Sequence, residues 1–118
     1  MENIVASKSY QFALKIISLY KLLAFERKEF VLSKQVLRSG TAVGALIKEA
    51  EHAQSKADFL NKMNVALKEI NETEYWLMLL KDGAFISEIE FNSIYSDCVE
   101  LIKILASIVK TAKTSLQK

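Results

Sequence analysis

The chain reads as four stretches of helical periodicity separated by short polar interruptions. From about Val5 to Phe25, the residues Phe12, Ala13, Ile16, Leu19, Tyr20 and Leu23 recur at threes and fours, the spacing that lines one face of an α-helix. The charged cluster Glu26-Arg27-Lys28-Glu29 breaks this pattern and predicts a connection. A second helix is predicted from about Leu32 to Ala53, with Val36, Gly40, Val43, Ile47 and Ala50 facing inward. The pattern resets at Ser55, which with Asp58 forms an N-terminal capping signal. The third helix, 56–82, carries the cleanest stripe: Phe59, Met63, Ala66, Ile70, Thr73, Leu77 and Leu80. Asp82-Gly83 is expected to end it, glycine accepting a left-handed conformation. Ser87 and Glu90 make a capping box for a fourth helix, 88–114, with Phe91, Ile94, Cys98, Leu101, Leu105, Ile108 and Ala112 inward. Long helices with short links predict an all-α, antiparallel up-and-down four-helix bundle, one domain over residues 1–118.

Two helices have a second face that such a bundle does not need. On the third, Val65, Trp76 and Leu79 fall to one side with Glu69 and Glu72 among them, an exposed aromatic–aliphatic mixture that suits a subunit interface. On the second, Gly40 and Gly44 allow a facing helix to come close, while Arg38, Ala42, Ala45 and Glu49 share an opposite stripe. The expectation is that this strip meets the Trp76 face of a neighbouring subunit, with Arg38 paired to Glu69 or Glu72 across the contact. The alternative is that Arg38 is solvated or pairs within its own chain.

Composition narrows the function. Of 118 residues 51% are apolar, none is proline and three are glycine, which leaves too few turn formers for a β-rich fold. The longest charge-free apolar run, Ser39–Ile47, is far below the roughly 18 residues of a membrane span. The N-terminus lacks the basic-then-apolar pattern of a secretory signal, so a soluble, cytoplasmic protein is expected. One cysteine and one histidine argue against internal disulfides, multi-histidine metal sites and the usual catalytic constellations. Glu49-x-x-His52 has half of a di-iron signature, but the second Glu-x-x-His is missing. No cofactor and no enzymatic activity are expected, and Cys98 reads as a small buried residue.

Net charge is only +2, yet residues 1–48 and 101–118 are basic while 49–100 are acidic. Lys8 and Lys15 on the first helix, and Lys103, Lys110 and Lys113 on the fourth, each follow one helical edge. Such edges suit a phosphate backbone with salt-sensitive binding, without the aromatic platform of a single-strand reader. A protein–protein scaffold that uses these lysines only for solubility is the alternative.

The run Gln35-Val36-Leu37-Arg38-Ser39-Gly40-Thr41-Ala42-Val43-Gly44-Ala45 resembles the second-helix signature of the bacterial family of 23S rRNA intervening-sequence proteins. So do Ser55-Lys56-Ala57-Asp58-Phe59 with Lys62, Ala66-Leu67-Lys68-Glu69, Glu72-Thr73 and Tyr75-Trp76-Leu77. The resemblance covers roughly residues 8 to 113 and departs at Leu46, where the family usually carries Asn. It implies a four-helix protomer and a ring-forming homopentamer. The accessory protein of diversity-generating retroelements, a basic pentamer that engages nucleic acid and a reverse transcriptase, is similar in fold. The partners implied are further copies of the chain and structured RNA or a ribonucleoprotein, with no membrane.

Overall fold

A computed structural model describes residues 3–117, and among them the chain forms four α-helices and no strand: α1 (Ile4–Lys21), α2 (Leu32–Glu51), α3 (Lys56–Asp82) and α4 (Glu88–Gln117). Each helix packs on the next and α4 returns to α1. On α2 and α3 the pairs Arg38–Glu69 and Glu49–Lys62 run in opposite order, as antiparallel neighbours require. The helices share one core, in which Phe12, Ile16, Val36, Val43, Ile47, Ile70, Leu77, Leu80 and Leu105 are fully buried.

The inward stripes of α2 and α3 fall where the periodicity puts them, with Phe59 only half-buried. On α4 the stripe steps by fours from Leu101 to Leu105 to Val109. Val109 therefore takes the buried place expected for Ile108, and Ala112 is half-buried. Ala13 and Tyr20 of α1 are likewise half-buried.

The helix ends depart further from expectation. The first helix widens into a π-helical turn at Leu22–Glu26, where the Arg27 N–H donates to the Leu22 carbonyl at 3.1 Å. This turn buries both Leu23 and Ala24, and Lys28 follows in the left-handed region at φ 56°. Glu29, read from sequence as part of a connection, caps α2: its carboxylate accepts from the N–H groups of Val31, Leu32 and Ser33 at 3.1, 3.0 and 2.7 Å. Burial pushes the Glu29 carboxyl up, but these backbone donors outweigh it and hold the group below the usual carboxylate range.

At the end of α3, Gly83 is not left-handed; its φ is −79°. Ala84 takes that conformation instead, at φ 65°. Its N–H donates to Lys81 O at 3.0 Å and that of Phe85 to Leu80 O at 2.9 Å, which satisfies the last carbonyls. Glycine is needed here for room, since a Cβ on Gly83 would lie 2.9 Å from the Leu79 carbonyl oxygen. The Ser87–Glu90 capping box forms in both directions, at 3.1 and 2.8 Å.

Candidate interaction surfaces

Position 38 on α2 lies opposite 69 and 72 on α3, and this register decides the fate of the expected interface charges. The Arg38 guanidinium donates to Glu69 at 3.3 Å and to Glu72 of its own chain. The pairing expected across a subunit contact is thus made within the protomer. The Trp76 indole N–H donates to Glu72 at 3.0 Å, and this bond, with the guanidinium, holds Glu72 below the usual carboxylate range. Trp76 is half-buried against the core rather than wetted, and Glu69 is buried. Directly beneath, the Ser39 hydroxyl donates to the Thr73 hydroxyl, which donates in turn to the Glu69 carbonyl, each at 2.8 Å in the fully buried layer. Glu49, at the other end of the strip, pairs with Lys62 at 3.0 Å. Arg38 and Glu49 therefore latch α2 to α3.

Apolar side chains also remain exposed, on α3 and on α1. On α3, Tyr75, Met78 and Leu79 are 56%, 43% and 37% exposed, while Val65 is half-buried. On α1, Tyr10, Leu14 and Ile17 are 64%, 45% and 37% exposed. Their four-three spacing is a second periodicity on the first helix that the sequence reading passed over. Between α1 and α2 a groove of about 540 Å³ is lined by Ala6, Ala13, Gly44 and Ala45, with Tyr10 at one side. Ala45 thus faces the groove, and Ala42 is half-buried. Of the nine predicted interface residues, Ala45 and Leu79 remain on open apolar surface.

The lysine edges divide into two kinds. On α1, Lys8 pairs with Glu100 of α4 at 3.1 Å and Lys15 with Asp97 at 2.5 Å. Both pairs lie in the α1–α4 seam and line a cleft of about 230 Å³ with Gln11 and Leu101. On α4, Lys103, Lys110 and Lys113 are exposed, and no ion pair among the described residues includes them. The α4 backbone thus changes sign near residue 101: Glu88, Glu90, Asp97 and Glu100 precede it and only lysines follow.

His52 caps the C-terminus of α2, exposed, and among the described residues no cluster of three metal-ligating side chains occurs. Cys98 is fully buried, its thiol donating to the Ile70 carbonyl at 3.8 Å. Burial, with the charge of Glu74, pushes the Cys98 thiol up to about 12, so it is no nucleophile at neutral pH. No helix of the described residues is long and apolar enough to cross a membrane.

Comparison with known proteins agrees with the resemblance seen in α2 and α3. A family model described as 23S rRNA-intervening sequence protein matches residues 1–107. Among solved structures, the chain is similar to a protein with unknown function from the S23 ribosomal protein family of Bacteroides thetaiotaomicron. The two are 57% identical with a TM-score of 0.89, over 91% of this chain and 99% of that one. No curated protein matches the chain.

Proposed function

The chain belongs to the 23S rRNA-intervening sequence protein family, and from that premise we propose that it is a non-enzymatic, self-associating helical bundle that binds RNA or a ribonucleoprotein through lysine-lined surfaces. The observation that carries the reading is the exposed edge of Lys103, Lys110 and Lys113 on α4, outside every ion pair among the described residues. One such edge is a weak polyanion site. Several copies in a homo-oligomeric ring, five by the family resemblance, turn weak edges into one multivalent surface. The exposed stripes on α1 and α3 supply apolar area for that assembly.

The test is retention of the assembled protein on a structured 23S rRNA fragment at about 50 mM salt, where phosphate contacts are strongest. Binding that falls as salt rises, and weakens in Lys103→Gln/Lys110→Gln/Lys113→Gln, supports the reading. No retention moves the protein to a protein–protein scaffold, a reading favoured by the pairing of Lys8 and Lys15 with α4 carboxylates. Self-association is tested separately by sedimentation of Leu79→Glu and Ile17→Glu, which are expected to dissociate the assembly without unfolding the protomer.

A further inference from the structure

The two basic edges that the sequence separates are brought together in the fold, with carboxylates set between them. Lys15 and Lys8 follow one another down α1, and α4 runs antiparallel beside them. Glu100, the partner of Lys8, stands three residues before Lys103 on α4, so the two share a helix face. Lys8 of α1 and Lys103 of α4 therefore lie on the side of the bundle that carries Glu100. Without Glu100 and Asp97, Lys15, Lys8, Lys103 and Lys110 would form one basic track from α1 onto the second half of α4. With them, the α1 half of that track is neutralised.

These ion pairs are poorly explained as devices for stability. Side-chain exposures are 40% and 50% for Lys8 and Glu100, and 50% and 37% for Lys15 and Asp97. Pairs this wet contribute little to stability. They are also readily exchanged, because a phosphate offers a lysine the same kind of charge-assisted bond. We propose that Asp97 and Glu100 are built-in competitors for phosphate. They mask Lys15 and Lys8, and a polyanion seated on the α4 lysines displaces them to extend its contact onto α1. This inference rests on the polyanion-binding reading above and concerns the regulation of that same surface. It adds a selectivity step, since a short or sparse anion that reaches only Lys103 and Lys110 gains nothing from the masked half. A continuous phosphate backbone gains both.

The experiment compares three forms of the assembled protein on one double-stranded RNA hairpin across a salt series: wild type, Asp97→Asn/Glu100→Gln, and Asp82→Asn/Glu88→Gln. The last carries the same change in charge, but at the α3–α4 turn. Unmasking is expected to tighten binding about tenfold at about 50 mM salt with little change in slope, because wild type makes the same phosphate contacts but must first break two ion pairs. Adding Lys8→Gln/Lys15→Gln to the unmasked protein should abolish the gain and lower the slope below that of wild type by about one unit per lost lysine. Equal tightening in the α3–α4 control, or an unmasked protein that binds like wild type, overturns the masking and leaves the proposed function standing. Binding by the unmasked protein alone means that the carboxylates are not displaced, which overturns the exchange. Retention of neither protein removes the masking together with the reading beneath it. Thermal unfolding of each form verifies that the bundle is intact.

Discussion

The two sides of α1 and α2 are closed by different means. Beneath the groove on its α1 side, α2 makes close, dry contacts: Gly40 lets Ile16 of α1 press against the α2 backbone, and Ser39 and Thr73 share a buried hydroxyl bond with α3. No buried side-chain N or O atom among the described residues lacks a hydrogen-bond partner. Where α1 meets α4 the seam is instead bridged by half-exposed lysine–carboxylate pairs that line a cleft. The first kind of seam depends on shape, which tolerates no added atom. The second depends on charge, which a competing ion can replace. Close packing and exchangeable charge thus belong to different seams of one small bundle.

The largest effect that sharpens this contrast is expected at Gly40. A Cβ there would lie 2.7 Å from Ile16 Cγ1 and 2.9 Å from Cγ2, and Ile16 is fully buried with nowhere to shift. Gly40→Ala should destabilise the bundle by about 1–3 kcal/mol through overpacking, despite alanine's better helix propensity. Gly44, one turn on, is the control. Its added Cβ would meet nothing nearer than Ser9 Oγ at 3.4 Å, so Gly44→Ala should gain about 0.5–1 kcal/mol. Denaturant midpoints of the two variants should move in opposite directions. A common direction would mean that α1 and α2 are not closely seated at Gly40.

That glycine pair also marks how far the sequence was legible. Both looked alike in the string, and only the packing of Ile16 separates the one that is required from the one that is spare. Periodicity located all four helices and most of the inner stripes, because burial repeats with the helical turn. It could not foresee the π-helical turn after Lys21 or the left-handed Ala84, since both are set by how the chain must re-enter the bundle. Glu29 was passed over as a cap because it is not one of the residues usual at that position. At the surface, sequence assigned Arg38, Glu69 and Glu72 to one contact, and they do meet, but within the protomer. Helical wheels give the direction of a side chain on its own helix, not the azimuth of the neighbouring helix. The carboxylate partners of Lys8 and Lys15 are hidden from the sequence for the same reason, lying 92 and 82 residues away along the chain.

A smaller effect is expected at the end of the α1–α4 side, where Arg27 holds Glu90 with two bonds of 2.8 and 2.7 Å. The Arg27 guanidinium first, and the Ser87 N–H after it, bring the Glu90 carboxyl down to about 2. A carboxyl depressed in the folded state contributes stability above its ordinary value and loses it as pH falls toward the folded value. This contribution is therefore full above about 4.5 and disappears between there and about 2. Because the pair is about one-third exposed, it is worth about 1 kcal/mol. Glu90→Gln should lose that amount at neutral pH and flatten the acid limb of a stability–pH profile. Glu72 on the α2–α3 side is depressed as well, and protonating it frees the indole of the only tryptophan. Trp76 fluorescence followed through the same acid titration should change in wild type and in Glu90→Gln alike, which separates the two seams in one experiment.

The smallest effect tests whether the open seam is held as lightly as its exposure implies. In a double-mutant cycle of Lys15→Gln and Asp97→Asn, the coupling energy should be below about 0.5 kcal/mol and vanish near 1 M salt, where screening acts over only about 3 Å. The same holds for Lys8 and Glu100. A coupling near 2 kcal/mol would make α1–α4 a structural latch comparable with the buried layer of α2 and α3, and an arriving phosphate would have to oppose that energy. A coupling near zero leaves the lysines committed to their carboxylates only until a denser line of negative charge arrives. Weakness in the protomer is then what lets the seam respond, and the closely packed α2 side is what allows it to do so without unfolding.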